Sequence, residues 1–252
     1  AKFGALPFET NFTSEFAVEY TKSNPQYPII ALTIYLLFIH YGPKYMEKRP
    51  AYDLQYVLAF WNFLLSTFSF IGVCRTVPFA IATFLSLPTY NQLICDNGQR
   101  FFEGPTGLWA WLFMWSKLPE LIDTLFIIIR KKPLGFLHWY HHVTVLSYCW
   151  LAYYQKTGSG IIFLTMNYTV HSIMYAYYCM SALKCVPKSF PSQIITVAQI
   201  AQMVAGTHAT VVTCLAMWCS NVWFIFIFVF GVFCQQIHFQ ESIEIISKWK
   251  ES

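Results

Sequence analysis

The chain has 252 residues and a formal net charge of +4, with 56% hydrophobic residues and only 11% charged residues. Because a soluble domain carries about 25% charged residues, this composition excludes a soluble enzyme or binding domain and indicates a polytopic membrane protein. The eight cysteines include no CxxC pair, so neither a zinc site nor a redox motif is indicated.

Apolar segments that are long enough to cross a bilayer recur along the chain, since one span requires roughly 20 apolar residues. Prolines, glycines and polar clusters separate these segments. Residues 76–95 are also uncharged, but Pro78 and Pro88 favour a lumenal or re-entrant segment. The predicted fold class is all-α, a single membrane-embedded domain with seven transmembrane helices. The predicted spans are residues 27–43, 54–75, 107–129, 135–155, 160–183, 190–217 and 222–243.

The distribution of basic residues predicts the orientation, because cytosolic loops are enriched in Lys and Arg. Seven spans leave ten basic residues on one side and four on the other. An eighth span at 76–95 would split the basic loops between the two sides, which this rule disfavours. Residues 1–26 are therefore predicted to form a lumenal tail, and residues 244–252 a cytosolic tail. The ten are Lys44, Lys48, Arg49, Arg130, Lys131, Lys132, Lys184, Lys188, Lys248 and Lys250, and the four are Lys2, Lys22, Arg100 and Lys156.

Two short signals agree with this orientation. Asn11 begins an N-glycosylation sequon on the predicted lumenal tail. Lys248 and Lys250 form a KxKxx pattern that resembles the cytosolic dilysine signal for retrieval to the endoplasmic reticulum. A chance triplet and a solvated basic tail are the plain alternatives. Together the signals predict a multi-pass protein of the endoplasmic reticulum membrane with glycosylation at Asn11.

The third predicted span contains ionisable residues, which are functional candidates because charges at bilayer depth cost several kcal/mol. It carries Lys117, Glu120, Asp123 and Thr124. Spacings of three and four residues place Lys117, Glu120 and Thr124 on one helical face. An internal salt bridge that fixes helix packing and a direct part in catalysis are the two interpretations of this face.

Histidines cluster at the start of the fourth predicted span. His138, His141 and His142 have the spacing i, i+3, i+4, which places three imidazoles on one helical face. A lone histidine is most often a satisfied core residue, but three on one face at a span end indicate function.

Two further spans carry polar stripes that are expected to face the same interior as the histidines. An aromatic packing face is the alternative for the fifth span, and a hydrogen-bonded helix contact is the alternative for the sixth. The stripes consist of Asn167, His171, Tyr175 and Tyr178 in the fifth span, and of Thr196, Gln199 and Gln202 in the sixth.

Two kinds of chemistry use an HxxHH cluster in a membrane. A di-iron desaturase or hydroxylase uses imidazoles as metal ligands and needs about eight histidines in three boxes, whereas this chain has seven histidines and one box. Alternatively, a neutral imidazole attacks a thioester to give an acyl-imidazole, while a neighbouring histidine moves the proton. Acyl transfer without a metal is favoured, and the di-iron enzyme remains the alternative. A seven-helix receptor or transporter ranks lowest because it gives no reason for clustered imidazoles.

Four motifs in order resemble the very-long-chain fatty-acid elongase family, over about residues 50–240. At residues 235–240, in the last predicted span, this chain lacks the more aromatic run that many family members have. This difference affects the expected lining of the acyl-chain tunnel but not the expected reaction. The motifs are KxxExxDT at 117–124, FLHxYHH at 136–142, NxxxHxxMYxYY at 167–178 and TxxQxxQ at 196–202.

The resemblance implies a condensing enzyme that joins a long-chain acyl-CoA to malonyl-CoA and releases CO2, CoA and a 3-oxoacyl-CoA. It implies seven helices, six of them ringing an acyl-chain tunnel, with no metal and no cofactor. His141 would be acylated, His171 would bind or activate substrate, and His138 and His142 would orient groups or shuttle protons. The implied substrate-binding residues are Lys117, Glu120, Asp123, Asn167, Tyr175, Tyr178, Gln199 and Gln202.

The resemblance also bears on the loops and the partners. It implies a disulfide between Cys95 and Cys219, both on the predicted lumenal, oxidising side. The ketoacyl-CoA reductase, dehydratase and enoyl-CoA reductase of the elongation cycle are expected partners, and a homo-oligomer is open. The box HWYHH leans towards saturated, monounsaturated or branched chains. Basic residues at the cytosolic mouth suit the phosphates of CoA and also serve as positive-inside anchors; they are Arg130, Lys131, Lys132, Lys184 and Lys188.

Overall fold

The computed structural model describes residues 5–86, 101–158, 160–187 and 190–217. All regular structure in these ranges is helical, which confirms the predicted all-α class. The helices are α1 (Pro7–Thr10), α2 (Ser14–Ser23), α3 (Gln26–Met46), α4 (Gln55–Ser86), α5 (Gly104–Ser116), α6 (Ile122–Ile129), α7 (Phe136–Tyr154), α8 (Gly160–Ala182) and α9 (Gln193–Met217), with a 3-10 turn at Pro119–Leu121 between α5 and α6.

The predicted number of seven spans is only partly confirmed. Among the described residues, α3 and α4 are long and apolar enough to cross a membrane by length and composition. Helices α7, α8 and α9 coincide with the spans predicted at 135–155, 160–183 and 190–217. Helices α7 and α8 have a lower hydropathy than α3 and α4, because α7 and α8 carry the histidines and the buried asparagine. The span predicted at 222–243 lies outside the described residues.

The second span is longer than predicted. Helix α4 does not end at residue 75 but continues to Ser86, so residues 76–86 belong to this helix. Residues 87–95 of the predicted lumenal or re-entrant segment lie outside the described residues. Pro78 lies inside this helix. A proline removes one backbone hydrogen bond, and helices in a membrane protein tolerate this loss when neighbouring helices support them. The proline was therefore too weak a signal to end the helix.

The third span is not the continuous helix that the spacing predicted. Helix α5 ends at Ser116, and α6 begins at Ile122 after the 3-10 turn at Pro119–Leu121. Pro119 has no N–H to continue the hydrogen-bond ladder, and its ring clashes with the carbonyl four residues earlier. The face predicted for Lys117, Glu120 and Thr124 is therefore divided, and Thr124 makes its contacts on a separate helix.

The helices pack around a core rich in aromatic side chains. Helix α8 contacts both α4 and α9, and α3 packs against α6 and α7. The main cluster joins α5, α7 and α8 and includes Trp109, Phe113, Trp150 and Tyr168. At Gly72 of α4 an added Cβ would lie 2.6 Å from the ring of Tyr168, so glycine is what permits the close approach of α4 to α8.

Two of the basic segments that the sequence assigns to one side lie next to each other in the structure. The Tyr52 N–H donates to the Ile129 carbonyl at 3.1 Å, and Lys131 Nζ donates to the Glu47 carbonyl at 3.2 Å. These contacts bring the loop after α3 against the end of α6. The basic residues of both segments therefore share one end of the bundle.

The amino-terminal segment closes the opposite end of the bundle. Glu9 of α1 is buried and accepts hydrogen bonds from Arg75 Nε of α4 at 3.0 Å and from Trp109 Nε1 of α5 at 2.7 Å. Burial alone raises the pKa of the Glu9 carboxyl, but the hydrogen bonds from Arg75 and Trp109 outweigh burial and hold that pKa below its ordinary value. In α2, the Thr21 carbonyl accepts a hydrogen bond from Trp150 Nε1 at 3.1 Å.

Three helices end at a lysine in the left-handed backbone region. Their φ angles are 54° at Lys131 after α6, 51° at Lys156 after α7 and 58° at Lys184 after α8. The left-handed residue lets the following N–H groups close onto carbonyls of the last helical turn. Glycine is usual at this position because a side chain there is strained.

Candidate active site

A buried ion pair lies where the third span breaks. Lys117 Nζ donates to the two carboxylate oxygens of Glu120 at 2.8 and 3.0 Å, and Ser116 Oγ donates to Glu120 Oε1 at 3.1 Å. Lys117 is 3% exposed and Glu120 is 6% exposed. The salt bridge considered from the sequence is therefore present. It is the central charged group of the site.

The ion pair is connected to the fifth span. Lys117 Nζ also donates to Asn167 Oδ1 of α8 at 3.0 Å, and Asn167 Nδ2 lies 3.1 Å from His171 Nε2. His171 Nδ1 lies 4.0 Å from Glu120 Oε1. An amide nitrogen can only donate, so Nε2 of His171 accepts and its proton lies on Nδ1, which faces the carboxylate.

The histidines of the box lie together on α7. The ring centroids of His138 and His142 are 4.6 Å apart, and those of His141 and His142 are 5.9 Å apart. His138 Nε2 is 2.9 Å from Thr124 Oγ1 of α6, and Thr124 Oγ1 is 2.8 Å from the hydroxyl of Tyr35 of α3. His142 is buried. The box is thus enclosed by α3 and α6.

Asp123 has partners different from those of Glu120. Its Oδ1 accepts a hydrogen bond from Trp61 Nε1 of α4 at 2.6 Å, and its Oδ2 accepts one from the Tyr175 hydroxyl of α8 at 2.7 Å. The Tyr175 ring lies 5.3 Å from the His171 ring. Asp123 therefore joins three helices and supports the wall of the site next to His171.

The other predicted pocket residues lie on α8 and α9. Gln199 Nε2 donates to Met174 Sδ at 2.9 Å, so Gln199 joins α9 to α8 without contacting the ion pair. Gln202 is buried. Tyr178 is 40% exposed, with its ring 6.3 Å from that of Tyr175, and so lies at the edge of the site.

The remaining predictions concern the loops and tails. Lys131, Lys132 and Lys184 are exposed and Arg130 is half-buried, at the end of the bundle where the box begins. Asn11 is exposed just after α1, as a glycosylation acceptor requires. Five predicted residues lie outside the described residues: Lys188, Cys95, Cys219, Lys248 and Lys250.

Two residues of the site were not predicted from the sequence. Tyr35 lies on α3 and Trp61 on α4, and neither belongs to a polar stripe of its own helix. Their polar atoms contact Thr124 and Asp123, the last two members of the KxxExxDT motif. The only sequence evidence for these two residues was the general rule that the polar atom of a buried Tyr or Trp usually has a hydrogen-bond partner.

The described histidines are arranged for hydrogen bonding. In the part of the chain that the structure describes, no three His, Cys, Asp or Glu side chains form a group that could hold a metal ion. The ring nitrogens of His138 and His171 face protein groups, Thr124 and Asn167. The arrangement supplies hydrogen-bond donors and acceptors to neighbouring imidazoles, as acid–base or nucleophilic chemistry requires.

Apolar space borders this polar site. A void of about 40 Å³ lies between α5, α7 and α8, with Phe113, Cys149 and Tyr153 in its wall. Cys149 lies seven residues after His142, about 10 Å along the helix axis. A larger groove of about 820 Å³ lies between α4, α8 and α9 and is lined mainly by apolar side chains such as Phe84 and Val204.

Comparison with known proteins identifies the family. A family model described as "ELO: GNS1/SUR4 family" matches residues 20–242. The chain is 42% identical over 199 residues to very long chain fatty acid elongase 6 of Drosophila melanogaster, covering 79% of this chain and 63% of that protein. It is 39% identical over 222 residues to fatty acid elongase 3 of Trypanosoma brucei brucei, covering 78% and 73%. To very long chain fatty acid elongase 6 of Homo sapiens it is 39% identical over 201 residues, covering 79% and 74%.

The chain spans less than two thirds of the length of the Drosophila relative. The family match nevertheless covers most of this chain, including all four motifs that carried the resemblance. The chain therefore belongs to the ELO (GNS1/SUR4) family.

Proposed function

We propose that this protein is a condensing enzyme of fatty-acid elongation. It joins a long-chain acyl-CoA to malonyl-CoA and forms a 3-oxoacyl-CoA two carbons longer, with release of CO2 and CoA. Family membership supports this reaction class. The observations that carry the proposal are the clustered histidine box on α7 and the buried Lys117–Glu120 pair that lies next to His171 of α8.

In the first half-reaction His141 acts as the nucleophile. Its neutral imidazole attacks the thioester carbonyl carbon, the bond from that carbon to sulfur breaks, and an acyl-imidazole forms. The ring proton of His141 leaves in this step, and the departing CoA thiolate takes up a proton. His142, whose ring is next to that of His141, is placed to move this proton.

In the second half-reaction the CoA product leaves and malonyl-CoA enters. The bond between the malonyl carboxylate and the α-carbon breaks, CO2 departs, and the electron pair forms the new carbon–carbon bond with the acyl carbonyl carbon. The bond from that carbon to His141 then breaks, and the imidazole takes up a proton from solvent, so that one proton is consumed in each turnover. Exclusion of water by the surrounding helices protects the acyl-imidazole from hydrolysis between the two steps.

The buried ion pair and His171 act on the oxygen of the reacting carbonyl or on the enolate of malonyl-CoA. Lys117 is a buried cation, and Glu120 fixes it at 2.8 Å. Asn167 receives a hydrogen bond from Lys117 and donates one to His171, which orients that ring. Fixed donors directed at a developing negative charge are an effective source of catalysis in a site without bulk water.

The two ends of the acyl-CoA lie on opposite sides of the histidines. We place the acyl chain beyond the box, along α7 and α8 towards the apolar void at Cys149 and Tyr153. The CoA phosphates bind at the basic end of the bundle, where Arg130, Lys131, Lys132 and Lys184 lie. Lys188, which is outside the described residues, is assigned the same role from its place in the sequence. The charged CoA group and the apolar acyl chain of the substrate therefore lie in basic and apolar surroundings, respectively, on the two sides of the histidines.

Location, processing and cofactors complete the proposal. The protein resides in the endoplasmic reticulum membrane with a lumenal amino terminus and a cytosolic carboxyl terminus. It carries a glycan at Asn11, a disulfide between Cys95 and Cys219 and a retrieval signal at the lysines of the KxKxx pattern. It needs no metal or other cofactor, and it hands its product to the ketoacyl-CoA reductase, dehydratase and enoyl-CoA reductase of the cycle.

Single-turnover assays on purified protein test the reaction. The wild-type protein is expected to convert labelled malonyl-CoA and a long-chain acyl-CoA into the 3-oxoacyl-CoA, and with acyl-CoA alone to gain the mass of one acyl group. His141→Ala is expected to lose both signals. His40→Ala is the matched control, because His40 is exposed on α3 outside the site.

The outcomes separate the parts of the proposal. An inactive wild-type protein in a folded state contradicts the condensing function. A folded His141→Ala variant that still forms product contradicts the assignment of the nucleophile. Acylation that persists in His141→Ala assigns the acyl group to another residue.

A further inference from the structure

Two buried side chains and the partly buried His138, from three helices, form a hydrogen-bonded row that ends at the histidine box. The row begins at the Tyr35 hydroxyl of α3, passes through Thr124 Oγ1 of α6 at 2.8 Å, and reaches His138 Nε2 of α7 at 2.9 Å. Tyr35 is 4% exposed and Thr124 is fully buried. The Tyr35 ring also lies 6.2 Å from the His142 ring.

The direction of these hydrogen bonds follows from the number of protons. Each hydroxyl has one proton to donate. Among the described residues, the Tyr35 hydroxyl has a single hydrogen-bonding partner, Thr124. If Nε2 of His138 donated to Thr124, either the Thr124 proton or the Tyr35 proton would have no acceptor among these groups.

The opposite direction satisfies every proton. Tyr35 donates to Thr124, Thr124 donates to His138 Nε2, and no donor is left unpaired. A buried donor without an acceptor is unfavourable because it loses its hydration without replacement. The row therefore favours His138 as an acceptor at Nε2, with its ring proton on Nδ1.

We propose that Tyr35 is a positioning residue that holds His138 in the Nδ1–H tautomer. The inference rests on the proposed function, since it concerns the proton that the box offers during acyl transfer. In this tautomer His138 presents Nδ1–H as a donor, either to the neighbouring imidazole of the box or to the substrate carbonyl. A residue of the first span thus controls chemistry on the fourth.

Four variants and one control test this proposal in lipid nanodiscs. Tyr35→Phe removes the hydroxyl and keeps the ring, Thr124→Val removes the middle of the row, and Thr124→Ser keeps it. Tyr41→Phe is the matched control, because Tyr41 lies on the same helix with a 60% exposed side chain. His138→Asn identifies the His138 signals in the ¹⁵N spectrum of histidine-labelled protein, which reports the tautomer directly.

The wild-type spectrum is expected to show a protonated Nδ1 and an unprotonated Nε2 at His138. Tyr35→Phe and Thr124→Val should populate the Nε2–H tautomer and lower kcat roughly five- to tenfold with little change in KM, as expected for the loss of one buried hydrogen bond. Thr124→Ser and Tyr41→Phe should keep both the wild-type spectrum and kcat.

A merely structural Tyr35 would give a different pattern. Tyr35→Phe would then lower the melting temperature but leave the His138 tautomer and the kcat of the folded protein unchanged, and this result overturns the proposal. An Nε2–H tautomer in the wild-type protein overturns it as well, even if no Tyr35 variant folds. An inactive wild-type protein contradicts the condensing function, whereas the tautomer is still read from the spectrum.

Discussion

Replacing Lys117 by methionine is expected to destabilise the helix bundle more than replacing Glu120 by glutamine. Lys117→Met leaves the buried carboxylate of Glu120 with Ser116 Oγ at 3.1 Å, whose single proton is also directed at the Phe113 carbonyl at 2.8 Å, and with His171 Nδ1 at 4.0 Å. Glu120→Gln leaves the ammonium of Lys117 with the new amide oxygen and with Asn167 Oδ1, at 3.0 Å in the parent. The Glu120 carboxylate therefore loses more of its hydrogen bonding and charge neutralisation in Lys117→Met than the Lys117 ammonium loses in Glu120→Gln.

The magnitude follows from burial. Both partners are less than one tenth exposed, and removing one partner of a buried pair costs about 3–5 kcal/mol. We expect Lys117→Met near the upper end of that range and Glu120→Gln near the lower end. In Lys117→Met/Glu120→Gln no charge remains, so the double variant should recover part of the loss, with a coupling energy of about 1–3 kcal/mol.

Unfolding in lipid–detergent micelles, followed by circular dichroism, measures the four corners of this cycle. Condensation activity measured in parallel should stay low in the double variant, because restored stability does not restore the cation. If both single variants unfold at the same denaturant concentration as the parent, or if their effects simply add, the pair is not coupled and the reasoning from burial fails.

Three further substitutions test other parts of the structure. Gly72→Ala should cost about 1–3 kcal/mol of unfolding free energy, because its Cβ meets a buried tyrosine ring. Gly160→Ala is the control and should cost little, because its Cβ meets nothing within 4 Å. Equal melting temperatures of the two variants would contradict this prediction. Lys184→Gly and Lys156→Gly should each raise the free energy of unfolding by about 0.5–1 kcal/mol, because glycine adopts a positive φ without strain. Only Lys184→Gly should raise KM for acyl-CoA, roughly two- to fivefold. An equal rise of KM in both variants argues against CoA binding at the end of the bundle where Lys184 lies. Because folding lowers the pKa of Glu9, its contribution is present above about pH 4.3 and is lost as the pH falls through the lower, folded-state pKa. Glu9→Gln should therefore flatten the acid limb of a plot of melting temperature against pH, and an unchanged limb would exclude this role.

Some features of the site could be predicted from spacing alone. The i, i+3, i+4 pattern of the box and the four-residue spacing of Asn167 and His171 depend only on the geometry of one helix, and the structure places these side chains together as expected. The break at Pro119 was also within reach, since a proline without an N–H cannot continue the ladder. The extension of α4 to Ser86 could not be predicted in this way, because packing against neighbouring helices allows Pro78 to lie inside the helix.

Composition, the spacing of polar residues within one helix and the four motifs were enough to establish the all-α class, the polar faces and the family. The pairing of those faces follows from helix packing and could not be predicted from the sequence. Lys117 contacts Asn167 fifty residues later, Trp61 contacts Asp123, and Tyr35 contacts Thr124. The rotation and depth of each helix against its neighbours set these contacts, and helical period carries no information about either.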